Sequence, residues 1–190
     1  MRKIIHYVHT SLDGYVNGPG GAFDWADLGP ELAQYSYGLE DRTGPLLYGR
    51  AVWDLMSSYW PTVEEISDHP HDLAYAPRWR KTEKIVISRT LADGPWRDRV
   101  VGRRDLVAEI AELKAEPGED LLLMGGARAA AALAAAGQID EHHVAVHPVV
   151  LGGGQPLFAP GTDRFGLELV GSTPCDGRTV VLRYRPASTQ

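Results

Sequence analysis

The stretch LLLMGGARAAAALAAAG at residues 121–137 decides the fold class. Four apolar residues run into two glycines, and an alanine-rich segment closed by Gly137 follows at once. This order predicts a buried strand, a tight turn and a helix over 127–136. The same design occurs earlier, where PLLYG at 45–49 leads into RAVWDLMSSYW at 50–60. Strands that alternate with helices pair in parallel, so both units favour an α/β fold.

Other segments extend this pattern along the chain. Strands are predicted at 3–10, at 84–88, around Val100 and at 141–150, and helices at 30–42, 72–81 and 105–115. Near the C-terminus, strand-like segments at 167–172 and 179–185 flank Asp176-Gly177, a strong hairpin-turn signal. We therefore expect a mixed, mostly parallel central sheet with flanking helices on both faces and a C-terminal antiparallel hairpin. Residues 1–190 are expected to form one domain.

Composition excludes several classes of protein. Nineteen Lys and Arg against twenty-five Asp and Glu give a formal charge of −6, which argues against a nucleic-acid-binding surface. Cys175 is the single cysteine, so an intramolecular disulfide and a multi-cysteine zinc site are excluded. The N-terminus lacks the pattern of a signal peptide, and no apolar run approaches the roughly 18 residues of a membrane span. We expect a cytoplasmic protein that acts on a small molecule, without a membrane or nucleic-acid partner.

Two strand-to-helix junctions are suited to bind an anion. At Gly49 and at 125–126 a glycine lets a ligand approach backbone N–H groups at the positive end of the following helix. Arg50 and Arg128 lie in the first turns of these helices, and Arg89 follows another strand. Ligands of open α/β sheets bind beyond the carboxyl ends of the strands, so these three arginines are expected on one rim. For Arg128 a purely solvated side chain is the alternative.

The histidines do not predict a metal site. His6 and His9 point to opposite faces of one strand, as do His142 and His147 of another. His142 and His143 follow Asp140-Glu141 at the start of a strand, and we expect both side chains to be exposed.

Short motifs along the chain occur in an order typical of one superfamily. They are SLDGYV (11–16), DW (24–25), GRAVWD (49–54), ISR (87–89), MGG (124–126) and HPVVLGGGQPLF (147–158). In this order they resemble the dihydrofolate-reductase-like superfamily, and more narrowly the reductase domain of bacterial bifunctional deaminase-reductases of riboflavin biosynthesis and its stand-alone relatives. The resemblance spans about residues 3–185 and implies the reductase half alone, because the zinc signature of the deaminase needs more than one cysteine.

The resemblance implies an NADPH-dependent reductase with cofactor contacts along the predicted rim. Gly49, Arg50 and Val52 would lie at the cofactor phosphates, where the family usually has threonine in place of Val52. Ser88 and Arg89 would lie at the adenosine 2′-phosphate. Gly125, Gly126, Ala127 and Arg128 would lie at the pyrophosphate, with a non-proline cis peptide bond between the two glycines. Leu12, Asp13 and Gly14 would border the nicotinamide.

Four residues are candidates for the substrate side. Asp13 is the candidate catalytic group at the hydride site, with a turn-forming aspartate as the alternative. Trp25 and Trp53 are candidates for stacking on the substrate or nicotinamide, and for Trp53 core packing is the alternative. Glu31 is the carboxylate nearest to the position that dihydrofolate reductases use for their pterin.

Reduction of a small heterocyclic or ribosyl-aminopyrimidine substrate follows from the resemblance. A dihydrofolate-reductase-like activity on a pterin and nucleotide binding without turnover remain alternatives. The resemblance also implies a homodimer, with the C-terminal strands as its interface.

Overall fold

Strands and helices alternate along most of the chain in the computed structural model, which describes residues 1–92 and 94–187. The strands are β1 (Ile4–Ser11), β2 (Tyr15–Asn17), β3 (Thr43–Gly49), β4 (Lys84–Ile87), β5 (Arg99–Val101), β6 (Asp120–Leu123), β7 (Glu141–His147), β8 (Gln155–Pro156), β9 (Leu167–Cys175) and β10 (Thr179–Pro186). The helices are α1 (Pro30–Glu40), α2 (Arg50–Tyr59), α3 (Pro70–Lys81), α4 (Leu106–Ala115) and α5 (Ala127–Ala135), with short 3₁₀ turns at Pro19–Gly21 and Trp60–Glu65.

Eight strands form the central sheet in the order β5-β4-β3-β6-β1-β7-β10-β9. The first six run parallel, and β10 and β9 add an antiparallel edge. The hairpin between β9 and β10 turns at Asp176 and Gly177, which both have positive φ, as the Asp-Gly signal predicts. The mixed, mostly parallel sheet with its C-terminal hairpin is therefore confirmed.

Helices cover both faces of the sheet. Successive side chains of a strand point to opposite faces, so the apolar residues of each strand pack in two separate cores. On β1, Ile5 and Tyr7 pack in the core under α1, α2 and α3, whereas Ile4 packs in the core under α4 and α5. Asp105 caps α4 as predicted, since its carboxylate accepts the N–H of Ala108 at 3.0 Å. Packing in these two cores holds in place the strand ends that carry the candidate site residues.

The glycine-rich segment after β1 is more ordered than a loop. β2 pairs antiparallel with β8, so the region near Asn17 joins the loop that follows β7. The two chains approach so closely that a Cβ on Gly154 would lie 2.0 Å from the carbonyl oxygen of Asn17. Local periodicity does not predict this pairing, because β8 has only two residues.

Within residues 1–92 and 94–187, no helix is long and apolar enough to cross a membrane. Over the same ranges, no group of three or more His, Cys, Asp or Glu side chains is arranged to hold a metal ion.

Candidate cofactor and substrate site

The two glycine junctions lie beside each other at the carboxyl edge of the sheet. β3 and β6 are neighbours, and the N–H of Gly49 donates to the carbonyl of Gly125 at 3.1 Å. A Cβ on Gly126 would lie 3.2 Å from the Cα of Gly49, so a side chain there would press on backbone. Gly125 and Gly126 both have positive φ, and the bond between them is trans. The cis peptide expected at this point is therefore wrong, while the close approach of the two junctions is observed.

Both helices that begin at these junctions lack a side-chain cap. Gly49 and Gly126 are the residues that precede α2 and α5, and neither offers a side chain to the first-turn N–H groups. Backbone donors and the positive ends of two helix dipoles therefore meet at one place. This arrangement fits a pyrophosphate group.

Three arginines follow three adjacent strands, as expected. Arg89, Arg50 and Arg128 come after β4, β3 and β6, which are consecutive in the sheet, and all three side chains are exposed. Arg50 forms an ion pair with Asp54 at 2.8 Å on the same helix. Arg89 and Arg128 form no ion pair with the described residues, so their charges face solvent on this rim.

Ser88 and Val52 have mainly structural contacts. The Ser88 hydroxyl oxygen accepts the N–H groups of Thr90 at 3.3 Å and Leu91 at 3.1 Å, which shapes the turn after β4. It keeps one hydrogen to donate. The half-buried Val52 side chain faces Gly125, and it supplies no hydrogen bond.

The loop after β1 is fastened to the loop after β7. Leu12 donates its N–H to Val149 at 2.8 Å, and the Asp13 carboxylate accepts the N–H groups of Leu151 at 3.1 Å and Gly152 at 2.8 Å. The Ser11 hydroxyl and these two N–H groups lower the pKa of the exposed Asp13 carboxyl. Asp13 is thus an anion whose oxygens position two loops, rather than a carboxyl that holds a transferable proton.

Trp53 lies in the core, so the predicted substrate contact is wrong for this residue. Its side chain is 2% exposed and packs between Tyr48 and Trp79, with ring centroids 6.1 Å from each. The first turn of α2 directs this indole toward the sheet, where α3 covers it.

Glu31 joins α1 to the C-terminal hairpin. Its carboxylate accepts the N–H of Asp176, and the Asp176 carboxylate accepts the N–H groups of Glu31 at 2.9 Å and Leu32 at 3.1 Å. Asp176 therefore caps α1 from a distant part of the chain. A Cβ on Gly29 would lie 2.3 Å from the Asp176 carboxyl carbon, which shows how closely the two segments meet.

Trp25 lies beside a pair of histidines that strand periodicity alone did not reveal. The half-buried indole packs edge-on against His147 with the centroids 5.5 Å apart. His147 Nε2 lies 2.8 Å from Nδ1 of His9, and its Nδ1 lies 3.5 Å from Oγ1 of Thr179. Burial and the neighbouring His147 lower the pKa of His9 to about 3, and burial lowers the pKa of His147.

A second pair joins the same two strands on the opposite face. Nδ1 of His6 lies 3.3 Å from Nδ1 of His142, and both rings are buried. His142 and His143 are 2% and 0% exposed, so the expectation that they are exposed is wrong. Each imidazole is buried because β7 lies between β1 and β10, inside the sheet. The register of β1 with β7 was the missing signal.

Solved structures share this architecture. A Shewanella sp. PV-4 protein, provisionally assigned to riboflavin biosynthesis, is 25% identical with a TM-score of 0.76, over 98% of this chain and 99% of that one. A diaminohydroxyphosphoribosylaminopyrimidine deaminase/5-amino-6-(5-phosphoribosylamino)uracil reductase of Thermotoga maritima is 13% identical with a TM-score of 0.69, over 98% of this chain and 57% of that one.

Sequence relatives align with nearly the whole chain. The uncharacterized protein YyaP of Bacillus subtilis is 31% identical, over 97% of this chain and 95% of its own length. The uncharacterized protein YwjB of the same organism is 29% identical, over 96% and 97%. The model of the RibD C-terminal domain matches residues 2–181. The chain therefore belongs to the RibD C-terminal domain family, a reductase-like family.

Proposed function

We propose that the protein is an NADPH-dependent reductase of the riboflavin-biosynthesis type, with a small heterocyclic or ribosyl-aminopyrimidine substrate. The observation that carries this proposal is the contact between the Gly49 and Gly125–Gly126 junctions, which leaves two uncapped helix N-termini side by side. Such a site attracts the pyrophosphate of a dinucleotide without requiring a basic protein. Membership in a reductase-like family supports the same assignment.

Different residues of the rim bind different parts of the cofactor. Gly49, Gly126 and the first turns of α2 and α5 hold the pyrophosphate, and Arg50 and Arg128 balance its charge. Arg89 and the free hydrogen of Ser88 recognise the adenosine 2′-phosphate. When bound, NADPH supplies the hydride, and the protein supplies position and electrostatics. The Asp13 carboxylate holds the loop beside the nicotinamide against the loop after β7.

The structure offers less to a pterin than to another heterocycle. One oxygen of the Glu31 carboxylate accepts the N–H of Asp176 at the start of α1, which holds this side chain against the C-terminal hairpin. We therefore place dihydrofolate behind a ribosyl-aminopyrimidine among the candidate substrates.

One experiment tests both cofactor and turnover. Saturation with NADPH at 100 times its dissociation constant is expected to add about 2.7 kcal/mol to the free energy of unfolding. For a chain of this length, this corresponds to a rise in melting temperature of roughly 5–10 °C. Tryptophan fluorescence should be quenched in parallel. Absence of both effects would refute the cofactor assignment.

Oxidation of NADPH is then followed with 5-amino-6-(5-phosphoribosylamino)uracil and, separately, with dihydrofolate. Turnover of the first is the expected result. Turnover of dihydrofolate alone would identify a pterin reductase, and binding without oxidation would identify a nucleotide-binding protein without turnover.

We further propose that the chain forms a homodimer through its C-terminal edge. β9 is an outer strand of the sheet, and it carries the exposed side chains of Leu169 and Val170. Unpaired strand edges with apolar side chains favour association. Light scattering after gel filtration should give twice the chain mass, and Leu169→Lys should shift the population toward monomer.

A further inference from the structure

The pair of His9 and His147 lies at the carboxyl edge of the sheet, on the substrate side of the proposed site. The sheet order places β1 next to β6, which carries the second phosphate junction, and β7 next to β1. His9 lies on β1 three residues before Leu12, and His147 is the last residue of β7. Along the carboxyl edge, the order is therefore phosphate junctions, nicotinamide loop and histidine pair.

Hydrogen bonding couples the tautomers of the two rings. One hydrogen lies between His147 Nε2 and His9 Nδ1, which are 2.8 Å apart. When His147 donates it, the neutral His9 ring carries its own hydrogen on Nε2. In this tautomer the Thr179 hydroxyl, whose oxygen lies 3.5 Å from the remaining nitrogen of His147, is the donor to that nitrogen. His9 Nε2 then forms an N–H donor with no protein acceptor among the described residues.

The surroundings keep this donor neutral and partly accessible. His147 and Thr179 are each 1% exposed, whereas the His9 ring is half-buried. Tyr7 packs against His9 with the centroids 5.1 Å apart, and Trp25 packs against His147. Asp27 and Arg178, which pair with each other, are the charged groups that act on His147, with opposite signs. His9 protonates only near a pKa of about 3, so it is uncharged at neutral pH.

Three carboxylates of this region already have partners in the protein. Asp13 accepts two backbone N–H groups, and Glu31 and Asp176 form the cap of α1. His9 Nε2 is therefore a polar group of this region that no described residue satisfies.

We propose that His9 is a catalytic residue that donates its Nε2–H hydrogen bond to the hydride-accepting group of the substrate, and that His147 is the positioning residue that fixes its tautomer. This inference rests on the proposed reductase function. The group is a carbon doubly bonded to oxygen or nitrogen. Hydride adds to the carbon, the π electron pair moves to the oxygen or nitrogen, and that atom takes one proton from water. His9 keeps its proton and stabilises the charge that develops, as a neutral imidazole does where its pKa is depressed.

The fold provides a matched control on the same two strands. His6 and His142 also form a cross-strand pair, directly opposite in register, but His6 is 1% exposed and faces the other core. The test compares His9→Ala, His9→Gln and His6→Gln in the intact chain. Gln can retain a donor near the position of His Nε2. Thermal melting of each variant establishes that it is folded before its kinetics are read.

With 5-amino-6-(5-phosphoribosylamino)uracil as acceptor, His9→Ala is expected to lower kcat about 100-fold, as loss of one preorganised donor does. Its dissociation constant for NADPH should stay within about twofold of wild type, because the phosphate contacts are elsewhere. His9→Gln should recover part of kcat, and His6→Gln should leave kcat unchanged. An unchanged kcat in His9→Ala, or an equal loss in His6→Gln, overturns the proposal.

The pH profile separates a neutral donor from an ordinary histidine acid. For wild type, kcat should show no ionisation of His9 between about pH 5 and 8. A loss of activity with a midpoint near the ordinary histidine pKa that disappears in His9→Gln would overturn the neutral donor. His147→Ala removes the neighbouring ring that helps to lower the pKa of His9, so this variant is expected to raise that pKa while burial still holds it below the ordinary histidine value.

Nitrogen-15 NMR of the imidazoles gives a readout that does not need turnover. Addition of the same acceptor to the NADP⁺ complex should shift the Nε2 signal of His9 and leave that of His6 in place. Protein that binds NADPH but shows neither turnover nor this shift contradicts the His9 assignment. Protein that does not bind NADPH contradicts the proposed function instead.

Discussion

The carboxyl edge of the sheet has two halves that are built from different materials. The proposed phosphate half, at β4, β3 and β6, has a backbone centre of touching glycines and helix N-termini without side-chain caps, and three exposed arginines surround it. The acceptor half, at β1 and β7, consists of side chains: a histidine pair, Trp25 and carboxylates that fasten loops and a helix end. In the proposed function, the backbone of the first half binds the pyrophosphate, and the side chains of the second half contact the acceptor.

The largest expected effect comes from filling the contact between the two glycine junctions. In Gly126→Ala the new Cβ would lie 3.2 Å from the Cα of Gly49, at a residue whose φ is +75°. Left-handed strain of about 1–2 kcal/mol adds to displacement of backbone. NADPH binding, measured by fluorescence titration, is expected to weaken at least 30-fold.

Gly137→Ala is the matched control at the other end of α5. Gly137 also has positive φ, at +64°, but a Cβ there meets no atom within 4 Å. It should lose about 1 kcal/mol of stability in a denaturant titration, through strain alone, and bind NADPH as wild type does. Equal weakening of NADPH binding in both variants would mean that the phosphate half does not depend on the Gly49 contact.

The next effect separates two arginines within the phosphate half. Arg89→Ala is expected to weaken NADPH about tenfold and to leave NADH nearly unchanged, because a charge-assisted bond to the 2′-phosphate contributes about 1.5–3 kcal/mol. Arg128→Ala should weaken both cofactors alike, since both contain the pyrophosphate. Isothermal titration with each cofactor measures the ratio of the two dissociation constants in each variant. If Arg89→Ala weakened NADPH and NADH equally, Arg89 would not bind the 2′-phosphate.

The same division explains what could be predicted from the sequence. The phosphate half is local in the chain: each glycine follows an apolar strand and precedes a helix, so the order of residues predicts Gly49 and Gly126. The acceptor half depends on contacts between distant segments. His9 meets His147 only because β1 pairs with β7 in a specific register, and Glu31 meets Asp176 only because the C-terminal hairpin reaches α1.

Trp53 shows the same limit within one helix. Its position at the start of α2 is compatible with ligand contact or core packing, and α3, which supplies Trp79, decides between them. Residue type and spacing therefore predicted the strands and their glycine ends, but not which side chains are left free at those ends.

The smallest expected effect tests whether the acceptor half depends on the cap of α1. Asp176→Asn keeps a residue that tolerates positive φ but weakens one of two bonds to the N–H groups of Glu31 and Leu32. Stability should fall by about 0.5–1 kcal/mol. Because α1 begins beside the Trp25 loop, KM for the acceptor should rise about two- to threefold, with NADPH affinity unchanged.

Asp105→Ala removes the cap of α4 under the opposite core and should lose similar stability without the KM change. A KM change of equal size in Asp105→Ala would show that general destabilisation, rather than the position of α1, governs acceptor binding.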